Sequence, residues 1–133
     1  MTAKLAALQR LHDAVVEGNS DIATLCSFAA FGDLIDSGLP VSVFVGWIMD
    51  PADIRAMGAA KALHEAMLPG WAIERMSWWP GGHWTFHLWG TGDPDHNGDR
   101  WHTHTDGRVE ASDTDPARAW LIAIIRAVMA GER

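Results

Sequence analysis

The chain has 133 residues, with 17 acidic side chains against 10 basic ones and a formal net charge of -7. That length is ordinary for one domain with its own core, and 48% hydrophobic with 20% charged residues excludes disorder, a collagen-like repeat and a disulfide scaffold. The acidic balance and scattered basic residues argue against a protein that draws its affinity from nucleic-acid phosphates.

From the N-terminus, Thr2 can cap a helix that runs to Glu17 and stops at Gly18-Asn19, with Leu5, Leu8, Leu11, Val15 and Val16 near helical spacing. This start reads as a helix rather than a signal peptide, because no long apolar run follows Lys4. Ser20 or Asp21 caps a second helix to about Phe31, which holds the lone Cys26 in an apolar stretch as a buried thiol suited to a reducing cytoplasm. Residues 34–49 are ambiguous: Val41-Ser42-Val43-Phe44-Val45 alternates like a strand, and a buried helix fits nearly as well. Asp50-Pro51-Ala52-Asp53 predicts a helix start, with Asp50 as cap and Pro51 as first residue, and the helix ends at Leu68 before Pro69-Gly70.

Residues 71–79 and 83–89 read as two strands joined by Pro80-Gly81-Gly82, which pairs Trp79 with His83. That register puts Met76, Trp78, Trp84, Phe86 and Leu88 on an apolar side. Arg75, Ser77, Thr85 and His87 fall on the other, flanked by Trp71, Ile73, Trp79 and Trp89. A third strand is expected at 100–105 after the loop 90–99, and a short fourth at 108–111. Asp113, Thr114 or Asp115 caps the last helix, which Pro116 starts. Its interior, Ala119 to Ile125, is apolar all round, so it is buried on most sides or completes an oligomer interface. With Arg118 and Arg126 it is too short and too charged for a membrane span of about 20 apolar residues. The expected fold is one α+β domain over 1–133. A mostly helical part, 1–49, precedes a helix, a small antiparallel β-meander of three to four strands and a closing helix, layered together over 50–130.

The run Ala59-Ala60-Lys61-Ala62-Leu63-His64-Glu65-Ala66-Met67-Leu68-Pro69-Gly70-Trp71, the Trp-rich hairpin after it, and Asp115-Pro116-Ala117-Arg118-Ala119-Trp120-Leu121-Ile122-Ala123-Ile124-Ile125-Arg126-Ala127 carry a resemblance. Over roughly residues 52–130 the chain resembles small prophage-encoded proteins with a phage ABA sandwich domain. The resemblance implies a small sheet layered with helices and a phage or prophage origin, and it brings no catalytic residues with it. The His- and Asp-rich segment 93–106 departs from that pattern.

Three clusters carry candidate chemistry. His83, His87, His102 and His104 would meet on one sheet face if 100–105 paired beside 83–89, and imidazoles so placed could hold zinc and activate a water. The alternative is a plain polar strand face. Asp93-Pro94-Asp95-His96-Asn97-Gly98-Asp99 matches the first half of a calcium loop, but the twelfth position is His104 where a bidentate Glu belongs, and an ordinary long turn explains the same residues. The eight Trp residues are mostly core, yet Trp71, Trp79 and Trp89 on the mixed face need a cover, and Asp93, Asp95 and Asp99 give an acidic edge beside them. No phosphate loop or nucleophile elbow is present.

The expected function is therefore non-enzymatic: a cytoplasmic phage or prophage accessory protein that binds another protein through Trp71, Trp79, Trp89, Asp93, Asp95 and Asp99, and inhibits a host factor by docking its acidic edge. No cofactor, nucleic acid or membrane enters this reading, and self-association into a homo-oligomer fits the Trp surplus. The alternative is a zinc- or calcium-binding protein, or a metal-dependent hydrolase, using His83, His87, His102 and His104.

Overall fold

A computed structural model describes residues 3–18, 41–50, 52–90 and 108–131. The helix expected at 20–31, Cys26, the loop 91–99 and the strand expected at 100–105 lie outside the described residues.

Helix α1 (Ala3–Glu17) buries Leu8, Leu11 and Val15 at helical spacing, and Gly18 ends it at φ +81°, its N–H donating to the Val15 carbonyl at 3.0 Å. The ambiguous segment resolves as helix α2 (Val41–Met49), with Val45 and Ile48 buried and Phe44, Trp47 and Met49 packed on the same core. Helix α3 (Ala56–Met67) starts later than the sequence suggests. Asp50 does not cap it: its carboxylate accepts from the Ala52 N–H at 3.0 Å, and Asp53 repeats the move with the Arg55 N–H at 2.8 Å, both local Asx-type bonds made ahead of the helix. Arg55 then clamps both carboxylate oxygens of Asp53 and lies 4.2 Å from the Trp47 ring centroid, which ties the turn to α2.

Strands β1 (Trp71–Trp79), β2 (His83–Gly90) and β3 (Arg108–Asp113) form one antiparallel sheet in the order β1-β2-β3. The hairpin closes as the turn residues require. Trp79 pairs with His83, the Gly82 N–H donates to the Trp79 carbonyl at 2.9 Å, and Gly82 takes φ +87°, which suits a residue without a Cβ. The strand expected as a short fourth, 108–111, extends to Asp113 and lies directly beside β2.

One irregularity changes the face assignment. Ile73 pairs with Leu88 and Arg75 with His87, so Glu74 is an extra residue, a β-bulge. Below it, Met76 and Trp78 share the helix side with Phe86 and Trp84 as expected; above it, the parity reverses. Trp71 and Ile73 therefore lie on the helix side and not on the mixed face, while Ala72 and Trp89 lie on the open side. Trp71 covers Gly90, where a Cβ would come within 2.4 Å of the indole.

Helix α4 (Pro116–Gly131) is the centre of the core. Asp115 caps it by accepting from the Arg118 N–H at 2.9 Å, and Arg118 in turn binds Asp113 at 2.9 Å. Leu121, Ile124 and Ile125 are fully buried, because α4 packs against α1, α2, α3, β2 and β3. Its all-round apolar surface is thus satisfied within the chain and is no reason for an oligomer interface.

His64 of α3 is the main polar group inside this core. The Trp120 indole N–H donates to its Nδ1 at 3.1 Å, so Nδ1 is the acceptor and the hydrogen sits on Nε2, which donates to the Trp71 carbonyl at 2.9 Å. One imidazole joins α3, α4 and β1, and Phe86 stacks on Trp120 at 5.4 Å. No helix of the described residues is long and apolar enough to cross a membrane.

Candidate functional site: the open sheet face and the β1 edge

The face of the sheet turned away from the helices carries its polar side chains in cross-strand rows. Arg75, His87 and Glu110 face one another in register, as do Ser77, Thr85 and Ser112. In the first row Arg75 Nη2 lies 3.4 Å from His87 Nε2, and His87 Nδ1 lies 3.4 Å from Glu110 Oε2, long contacts in which the guanidinium faces the Nε2 lone pair and Nδ1–H points at the carboxylate. In the second row, Thr85 Oγ1 accepts from the Trp79 indole at 3.0 Å and pairs with Ser112 Oγ at 2.7 Å. Trp79 is therefore held across the sheet, stacked on His83 at 6.2 Å. Glu74 reaches Arg108 at 3.4 Å on the same face, and a groove of about 620 Å³ runs between Glu74, Arg75, His87, Arg108 and Glu110.

Chemically, most of these groups already bond to one another. The Thr85 and Ser112 hydroxyls bond to each other, and Thr85 also accepts from Trp79, so neither is directed at His87, and the Arg75 charge at Nε2 opposes a divalent cation. Both sides of β2 are occupied, by β1 and by β3, so the neighbour of His87 across the sheet is Glu110 and not an imidazole. His102, His104, Asp93, Asp95 and Asp99 lie outside the described residues. Among the described residues no three His, Cys, Asp or Glu side chains converge as a metal site.

The sheet's two edges differ. On β3, Arg126 of α4 donates to the Glu110 carbonyl at 2.8 Å and through Nε to His12 Nε2 of α1 at 3.0 Å, so helices reach around that edge. His12 then turns its Nδ1–H to Asp13 at 3.0 Å, and this bond, aided by Gln9, holds the Asp13 carboxyl below its ordinary range. β1 pairs with β2 on one side and with nothing on the other among the described residues. It is also uncovered below. Ile73, Met76 and Trp78 face the helix layer yet are 43%, 50% and 58% exposed, because α4 lies under β2 and β3 and stops short of β1.

Of the Trp residues proposed as a partner surface, Trp79 is exposed, while Trp71 and Trp89 are half-buried. Trp78, assigned to the core from the sequence, is instead the most exposed large aromatic of the described residues. Its alternation with Met76 was legible; that no helix of the described residues covers it depends on where α4 packs. His64 and the bulge at Glu74 carried no signal in the linear pattern. No family model, no curated protein and no solved structure matches the chain.

Proposed function

We propose that the chain is a non-enzymatic protein-binding module whose docking element is the β1 edge, acting in the cytoplasm as an accessory protein of the phage or prophage kind that its sequence resembles. The supporting observation is the uncovered flank of β1, where Ile73, Met76 and Trp78 lie beside a strand edge that lacks a pairing partner among the described residues. An added strand would take up the free backbone groups of β1 while its side chains cover this stripe, the mode of recognition called β-augmentation. The carboxylates between Asp93 and Asp115 would steer a basic surface of the target, which is how such binding would inhibit a host factor.

The test compares proteins retained by the wild-type chain with those retained by Trp78→Ser and by Met76→Pro, the latter removing a backbone donor that alternation from the Trp79–His83 pair points away from β2. Partners retained by the wild type and lost from both variants are expected. An identical retained set sinks the reading.

A further inference from the structure

β1 is palindromic in residue character. Outward from its centre, between Glu74 and Arg75, it reads charge, apolar, small, Trp in both directions: Glu74, Ile73, Ala72, Trp71 one way and Arg75, Met76, Ser77, Trp78 the other. In a regular strand such an order cannot pair with itself about that centre. Facing residues of an antiparallel ladder share a face, whereas residues an odd number of positions apart, such as Ile73 and Met76, lie on opposite faces. The bulge at Glu74 removes the conflict by inserting one residue at the centre of the palindrome. Trp71, Ile73, Met76 and Trp78 then lie together on the helix side, and Ala72 and Ser77 on the open side with Glu74 and Arg75, which reach Arg108 and His87 there.

We infer, on the footing that β1 is a docking edge, that its occupant is β1 of a second copy, paired antiparallel about a two-fold axis between Glu74 and Arg75. The two sheets become one of six strands. Glu74 faces the partner's Arg75, and by symmetry the pair occurs twice; Ile73 faces the partner's Met76, and Trp71 faces the partner's Trp78. Every facing pair in this register shares a face, opposes charges or joins apolar groups. A slide by two residues fails in either direction: one sets Met76 against the partner's Arg75, the other Ile73 against the partner's Glu74. The charges at the centre therefore select register as well as keeping unrelated strands away. Because the dyad consumes both β1 edges and Arg126 reaches around the β3 edge, assembly stops at two, and any other protein that adds a strand to β1 must displace the second copy.

The register is read by disulfide formation in the full chain with Cys26→Ala. Ala72→Cys with Ser77→Cys places thiols opposite one another, whereas Ala72→Cys with Trp79→Cys does so only after a two-residue slide, and a disulfide requires Cα atoms within about 7 Å. The first pair is expected to give a covalent dimer on mild oxidation and the second to stay monomeric. In native mass spectrometry and sedimentation the untagged wild type is expected as a dimer. Glu74→Arg should weaken it about tenfold by setting like charges opposite at two places, and adding Arg75→Glu should restore most of the loss. Unchanged circular dichroism establishes that each variant is folded. A wild-type chain that stays monomeric at about 100 µM, equal cross-linking of both cysteine pairs, or a double charge swap no better than the single one each overturns the inference. A monomer that nevertheless loses retained partners on Trp78→Ser overturns only the self-pairing; a monomer whose retained set ignores Trp78 overturns the docking edge as well.

Discussion

β3 and β1 bound the same sheet, yet the chain treats them differently. β3 is six residues long, buries Ala111, packs Val109 on the core, and receives Arg126 at the Glu110 carbonyl. β1 is nine residues long, and five consecutive residues from Ala72 to Met76 are exposed. The cause is the placement of α4. One largely apolar helix is packed by α1, α2, α3, β2 and β3 together and does not extend under β1. The comparison teaches that the core and the sheet are not coextensive: apolar side chains under β2 and β3 are buried in the core, and those on β1 remain exposed.

The sharpest way to break that separation is to damage the covered side. Ile124→Ala leaves a cavity in a fully buried site and should cost about 2–5 kcal/mol in urea denaturation. His64→Ala should cost roughly 2–4 kcal/mol, because the Trp120 indole N–H and the Trp71 carbonyl both lose their partner in a dry interior. Arg126→Ala removes the donor that reaches β3, so a loss of about 1 kcal/mol is expected together with faster amide exchange along 108–113 and none along 71–79. On the other edge Trp78→Ser should move the denaturation midpoint of dilute protein by less than about 0.5 kcal/mol while abolishing capture; a large loss of stability would show that β1 belongs to the core after all.

The smallest effect is that of pH. Asp13, Asp53 and Glu65 are held below their ordinary values by hydrogen bonds from His12, Arg55 and Lys61 respectively. The unfolded chain binds protons at these carboxylates first, so the stability they add is complete above the ordinary values of 3.8 and 4.5 and is lost as pH falls through the lower folded values. Asp13 and Glu65 are exposed and Asp53 is half-buried under Arg55 at the surface, so a denaturation series from pH 6 to pH 3 should show only a shallow decline from them.

Features governed by neighbours in the chain were legible. Pro80-Gly81-Gly82 specified the hairpin, because a positive φ at Gly82 and a proline at the turn's entry are local requirements. Asp115-Pro116 specified the start of α4 for the same reason. Asp50-Pro51 carried the same signal and was misleading, since the Asp50 carboxylate found the Ala52 N–H in a turn before any helix formed. The segment 41–49 was ambiguous because Val and Phe favour strands intrinsically, and only packing of Val45 and Ile48 into the core selects the helix. The candidate surface was half legible: Trp79 was assigned to an exposed face, whereas Trp78 and Trp71 exchanged roles through coverage and the bulge.

The sequence alone therefore determined the class of fold, the hairpin and its pairing of Trp79 with His83, the start of the last helix at Pro116 and the apolar character of its interior. These follow from local dihedral preferences and from periodicity, which act over a few residues. Tertiary structure alone decided that His64 becomes the polar joint between Trp120 and Trp71, that one extra residue at Glu74 reverses the faces of half a strand, and that α4 covers β2 and β3 but not β1. Each of those depends on which surfaces meet across long stretches of chain, and a shift of one residue or one helix position changes the outcome without changing any local preference.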